Sequence, residues 1–202
     1  MKAFPKLSTS VILETYVEMI SYRRTYCDDS EYFKASQFWT DMCSDIDTWK
    51  IKKYSGNESE DWLRKAGVIT LREHVTLSTD RQLFENAEKG CKLSNFILAH
   101  EFAHVALGHH DRNLVTKHFQ LFAGSNGMSN IPPTVEEYQA NLGAVFFQCG
   151  VALEDERLTT LDLAHRSFSD VSYVRRAQKL VQLSLFKQKL FERRSNVKRV
   201  VL

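Results

Sequence analysis

Residues 92–108 read KLSNFILAHEFAHVALG, and this stretch decides the architecture of the chain around it. Apolar residues recur at helical spacing throughout the stretch, which predicts an amphipathic or buried helix rather than a strand. Ser94 is a candidate N-cap near its start, and Gly108 is well placed to end it. The apolar flanks on both sides of the central polar residues predict that most of this helix is buried.

The helix contains the motif HExxH, formed by His100, Glu101 and His104. The spacing of four residues puts both imidazoles on one helix face, one turn apart, where they can bind one Zn²⁺ ion. Glu101 lies near such an ion without pointing at it, a position that suits a general base acting on water. Burying these three groups is costly unless they are paired or bind a metal. The alternative is that they are ordinary polar residues of an amphipathic helix.

A third zinc ligand is expected downstream, because catalytic zinc usually has three protein ligands and one open position. Residues 136–141 read EEYQAN. Glu137 is the favoured ligand, since Asn141 follows one turn later on the same face and could hydrogen-bond a ligating histidine. Glu136 is the competing candidate. Small residues would let this helix approach the HExxH helix closely: Ala140, Gly143 and Ala144.

Further histidines flank the motif. His109 and His110 directly follow the helix, and they are either groups that support the site or cations favoured by the negative end of the helix dipole. An oxyanion donor is also expected for a hydrolytic site. The candidates are His118, Tyr138, His109 and His110, and the sequence does not choose among them.

The rest of the chain is predicted from its periodicity and its turn residues. Helices are expected over residues 8–27 with Ser8 or Ser10 as the cap, 31–47, 134–153 with Thr134 as the cap, and in two or three pieces over 158–194. One or two strands are expected within 68–78, and a short strand within 118–122. Loops or turns are expected at 50–60, 85–90 and 124–133. This division predicts an N-terminal helical region (1–60), a core (61–155) and a C-terminal basic helical extension (156–202).

Composition and charge limit the classes of function. The chain has 202 residues and a net charge of +2, which argues against a general polyanion binder. Residues 171–202 carry nine basic residues and one acidic residue, however, so this tail has a charge of +8. The tail is read as a solvated helix face, with contact to a polyanion, an acidic protein or a membrane surface as alternatives. Four dispersed cysteines argue against a disulfide framework. The absence of a signal peptide and of an apolar run of 18 residues predicts a cytoplasmic protein.

The motif residues resemble those of the ImmA/IrrE family of zinc metallopeptidases, which are of the gluzincin type. That family combines a strand, an HELGH-like helix with the lead-in FxxAHE, and an ExxAN helix. The corresponding stretches here are FILAHE at 96–101, HEFAH at 100–104 and EYQAN at 137–141. The similarity spans about residues 68–153, and residues 1–60 match no part of the family pattern. Two departures from the family pattern indicate a divergent member: HEFAH stands in place of HELGH, and no proline follows ExxAN.

The resemblance implies a mostly helical α+β fold with a zincin-like core, in which a small β-sheet lies beside the HExxH helix. It implies one Zn²⁺ on His100, His104 and Glu137, with Glu101 as the catalytic base and Asn141 beside the ligands. Members of this family typically cut a repressor or another regulatory protein, in bacteria or mobile elements. A weaker similarity at 161–180 resembles a degenerate helix-turn-helix.

Two hypotheses compete with the peptidase. The first is a catalytically inactive regulatory or interaction module on the same scaffold, with a structural metal or none. The second is a regulator that contacts nucleic acid through the basic tail, and here the candidates are Arg175, Arg176 and Lys179. Glu101 favours the peptidase, because an inactive scaffold has no need of this residue. Nucleic-acid binding would weaken steeply with salt.

Overall fold

The computed structural model describes residues 7–55, 64–71, 73–109, 117–120 and 134–200, and these residues form a mostly helical α+β fold, as predicted. The helices are α1 (Thr9–Tyr26), α2 (Ala35–Asp45), α3 (Arg81–Glu88), α4 (Lys92–Ala106), α5 (Val135–Cys149), α6 (Thr160–Arg166), α7 (Val171–Val181) and α8 (Ser184–Val200), with a 3-10 helix at Gly150–Glu154. The strands are β1 (Trp49–Tyr54), β2 (Arg64–Leu71), β3 (His74–Asp80) and β4 (Lys117–Gln120).

The four strands form one small mixed sheet in the order β1-β3-β2-β4. β1 runs parallel to β3, while β2 runs antiparallel to both β3 and β4. Val75 and Leu77 are buried and alternate with more exposed residues along β3, which is the pattern of a strand with one covered face. The sheet packs with β2 against α4, so a small sheet does lie beside the HExxH helix.

Two predicted loops are wrong in part, and residues 56–60 of the first lie outside the described residues. Residues 50–54 belong to β1, an edge strand whose lysines alternate with the half-buried Trp49 and Ile51. Residues 85–88 belong to α3, which begins where the Asp80 carboxylate accepts a hydrogen bond from the backbone N–H of Leu83 at 3.0 Å. The predicted loop at 124–133 lies outside the described residues.

Helix caps explain where α1 and α5 begin. The hydroxyl of Ser8 accepts a hydrogen bond from the backbone N–H of Val11, and the hydroxyl of Thr134 accepts one from the N–H of Glu137 at 3.2 Å. Thr134 was the predicted cap of α5, and Ser8 was one of the two candidates for α1. Ser94 is not a cap, however, because α4 begins one turn earlier, with Cys91 at the N-cap position.

The helix α4 lies at the centre of the core and is held by contacts from several elements. The indole N–H of Trp39 in α2 donates to the Leu98 carbonyl at 2.9 Å, and the Asn95 amide donates to the Ala87 carbonyl at the end of α3. Phe102, inside the motif, packs at 4.5 Å between ring centroids against Phe38. These contacts fix the rotation of α4, and with it the direction of the motif side chains.

The basic tail packs back on the domain over much of its described length. Phe186 and Leu190 of α8 are buried in the common core. Arg194 forms an ion pair with Glu154 at 2.7 Å, and Lys187 pairs with Glu156. The tail is therefore partly neutralised by acids of the chain itself, and α8 is an integral part of the fold.

One buried cation joins α1 to the end of α5. Arg23 is fully buried, and its guanidinium donates to the carbonyls of Phe147 at 2.9 Å and Gln148 at 3.1 Å, and also to the carbonyl of Glu31. The first two carbonyls belong to the last turn of α5, where the helix leaves them without helical partners and the helix dipole favours a positive charge. Arg23 therefore caps α5 from outside the helix.

We expect Arg23→Met to lower the free energy of unfolding by about 3 kcal/mol, because it leaves buried carbonyls without a donor. Arg24→Met is the matched control, since the neighbouring Arg24 is exposed and forms a surface ion pair with Asp29. Its loss should cost no more than about 1 kcal/mol. Urea denaturation measures both values. Equal losses in the two variants would contradict the capping role.

Candidate metal centre

Three predicted site residues lie on α4. His100 and Glu101 are fully buried, and His104 is nearly so. The two imidazoles lie on one face of α4, with ring centroids 4.7 Å apart. This placement follows from the spacing of four residues in a continuous helix.

The fourth predicted residue, Glu137, enters from the first turn of α5. The two helices approach closely because Gly143 faces Ala103, and a Cβ atom built on Gly143 would lie 3.0 Å from the Cβ of Ala103. Ala140 and Ala144, on the same helix, are also fully buried. Small residues thus allow the close contact between α4 and α5 that brings Glu137 to the histidines.

The ligand atoms of the three residues converge. The Nε2 atoms of His100 and His104 are 3.0 Å apart. One carboxylate oxygen of Glu137 is 3.2 Å from the His100 Nε2, and the other is 3.4 Å from the His104 Nε2. Among the described residues these three form a group able to hold a metal ion.

The separations can be compared with those of a tetrahedral metal site. Zinc binds imidazole nitrogen and carboxylate oxygen at about 2.0–2.2 Å, so two ligand atoms of a tetrahedral site lie about 3.3–3.5 Å apart. The two imidazole nitrogens are 3.0 Å apart, and each lies 3.2 or 3.4 Å from a different oxygen of Glu137, while one ligand atom from each residue lies within 4.8 Å of the others. The three side chains could therefore hold a divalent ion. Three protein ligands of this type leave a fourth position for water or substrate.

The electrostatics of Glu137 favour its charged form. Burial alone would raise the pKa of this carboxyl, but hydrogen bonds and charge from His100 and His104 outweigh the burial and hold the pKa well below its usual range. Glu137 is consequently a carboxylate at neutral pH. An ionised carboxylate beside two imidazoles is a donor set typical of zinc.

The structure distinguishes the two acidic candidates by position. Glu137 lies in the ligand group, and Glu136 does not. Asn141 is buried one turn after Glu137, but its side-chain oxygen accepts no hydrogen bond from any described residue. The group seen beside a ligating imidazole is instead His109, whose Nδ1 is 2.8 Å from the Nδ1 of His104.

Two of the four candidate oxyanion donors have side chains among the described residues. The His109 ring contacts His104 on one side and Gln139 on the other. Tyr138 is half-buried on α5, and burial raises the pKa of its phenol, so it stays protonated and able to donate at neutral pH. His110 and the side chain of His118 lie outside the described residues.

The candidate nucleic-acid contacts lie on α7, away from the ligand group in sequence. Arg175 and Lys179 are exposed one turn apart, whereas the Arg176 guanidinium lies over the Tyr173 ring at 5.7 Å. Four residues separate α6 from α7, and the carboxylate of Asp170 caps α7. The helix-turn-helix function stays a prediction.

No helix in the described part of the chain is long and apolar enough to cross a membrane.

Comparisons with known proteins do not assign the chain to a family. None of the protein-family models, curated proteins or solved structures compared with this chain matches it. The resemblance to the ImmA/IrrE family therefore stays a prediction from the motif residues. The function has to be argued from the chemistry of the site.

Proposed function

We propose that the chain is a zinc-dependent endopeptidase of the ImmA/IrrE type that cuts a specific protein. The observation that carries the proposal is the convergence of His100, His104 and Glu137, whose ligand atoms lie within 4.8 Å of one another, in a chain that carries Glu101 in the HExxH position. A structural metal site uses its protein ligands to close the coordination sphere, whereas the three ligands found among the described residues leave an open position. This arrangement favours hydrolysis over a purely structural role.

In the proposed reaction, His100, His104 and Glu137 hold the ion. When bound, zinc supplies Lewis-acid polarisation of the scissile carbonyl and lowers the pKa of water. Glu101 accepts the proton of the attacking water and returns it to the leaving amine. The reaction breaks one C–N bond and consumes one water.

The test compares two forms of the protein in a native lysate of the cells that naturally carry the chain. Lysate is treated with the zinc-loaded protein or with its Glu101→Gln variant, and new protein N-termini are labelled and identified by mass spectrometry. We expect a small set of new termini with the wild type only. Identical sets from the two forms would contradict the peptidase and favour the inactive interaction module.

A further inference from the structure

A line of side-chain contacts leads from the ligand group to α1. The His109 Nδ1 is 2.8 Å from the His104 Nδ1, and the His109 Nε2 is 3.4 Å from the Gln139 Oε1. The amide nitrogen of Gln139 is 3.0 Å from the Thr15 hydroxyl, which is 2.8 Å from the Val11 carbonyl. Apart from His104, the residues of this line lie outside the metal-ligand group, and Thr15 lies in the part of the sequence without a recognisable motif.

The far end of this line fixes the direction of its hydrogen bonds as far as the Nε2 of His109. A carbonyl only accepts, so the single proton of the Thr15 hydroxyl is donated to Val11. Gln139 must then present its NH₂ group to Thr15, and its carbonyl oxygen to the His109 Nε2. The Nε2 of His109 consequently carries the proton in that contact. The assignment is inferred from the network, as ring protons and amide orientations usually are.

Metal binding completes the line at His104. A metal held at the His104 Nε2 leaves the proton of that ring on Nδ1, and His109 with its own proton on Nε2 accepts a hydrogen bond from it at Nδ1. A neutral His104 that carries its proton on Nδ1 has a lone pair on Nε2. That atom is the one directed at His100 and Glu137.

We propose that the line formed by Thr15, Gln139 and His109 holds His104 in the Nδ1–H tautomer and so prepares its Nε2 for metal binding. His109 is therefore a positioning residue that acts through His104. The inference rests on the proposed metal site and deepens it, because it gives α1 a part in the function. Partners of ligating histidines commonly act in this way, fixing both the tautomer and the ring orientation.

The first test measures the zinc affinity of the full chain by competition with a chromophoric chelator. His109→Leu removes the acceptor and should weaken zinc binding about 10- to 100-fold. His109→Asn keeps an acceptor near the position of Nδ1 and should stay within about threefold of the wild type. Zinc affinity of His109→Leu equal to that of the wild type would overturn the proposal, as would equal weakening in both variants at matched thermal stability.

A second pair of variants tests the direction of the line at a residue that touches no metal ligand. Thr15→Val removes the hydroxyl with little change of shape, and Thr15→Ser keeps it. We expect Thr15→Val to bind zinc at least about threefold more weakly than Thr15→Ser, since the Gln139 amide is then free to turn over. Equal affinities would overturn the proposal. Failure of this inference can be distinguished from failure of the proposed function. If the proposed function is wrong, the wild type itself binds no zinc.

Discussion

Glu101→Gln is expected to lower the rate of peptide hydrolysis by about three orders of magnitude, while one zinc ion stays bound. The amide has nearly the shape of the carboxylate, so it fits the same fully buried position in α4. It cannot accept a proton from water, and so the step that generates the nucleophile is lost. The ligand group of His100, His104 and Glu137 is unchanged by this substitution.

The measurement is the cleavage rate of the best substrate found in the lysate, at equal zinc content for both proteins. Glu14→Gln is the matched control, because Glu14 is exposed on α1 and the substitution is chemically identical. The control should retain the wild-type rate. A Glu101→Gln protein with zinc bound and full activity would rule out Glu101 as the general base.

Glu137→Gln is expected to weaken zinc binding by about 100-fold or more. A zinc ion bound by four groups gains about 12 kcal/mol in total, so the average ligand accounts for about 3 kcal/mol, which corresponds to somewhat more than a hundredfold in affinity. The amide removes the negative charge that now lies 3.2 and 3.4 Å from the two imidazoles. Chelator competition measures the dissociation constant.

Glu136→Gln is the control for that experiment, and it also tests the competing ligand. Glu136 precedes Glu137 in the first turn of α5 but lies outside the ligand group. Its replacement should leave the zinc affinity unchanged. Weaker zinc binding by Glu136→Gln than by Glu137→Gln would identify Glu136 as the third ligand and contradict the geometry described above.

The ligand group could be predicted from the sequence because each part of it has a local signal. The spacing of His100 and His104 defines one helix face, and Thr134 marks the start of the second helix, with Glu137 in its first turn. Small residues signalled the close approach of the two helices. Local patterns of this kind predict side-chain positions correctly here because α4 and α5 are regular, well-buried helices.

Two short elements were missed for physical reasons. The strand β1 reads WKIKKY, and its lysines hide the alternation of Trp49 and Ile51 because edge strands tolerate charge. The helix α3 is only eight residues long. Its sequence signals are the cap Asp80 and the buried pair Leu83 and Phe84, but the polar residues after that pair resemble a loop.

The sequence offered His109 as a candidate for supporting the site, but its further partners could not be read from the sequence. Gln139 lies 30 residues from His109 along the chain, and Thr15 lies 124 residues from Gln139. No periodic pattern relates positions so far apart, and each residue alone is an ordinary polar residue of a helix. Only the packing of α1 against α5 brings them together.

The most direct test of the account is zinc K-edge X-ray absorption of the full chain loaded with one equivalent of zinc. We predict a first shell of nitrogen and oxygen at about 2.0–2.2 Å, with the outer scattering of two imidazoles and no sulfur. The chain has four free cysteines, and they offer a different kind of site. A sulfur shell at about 2.3 Å, or no imidazole scattering, would contradict the site formed by His100, His104 and Glu137.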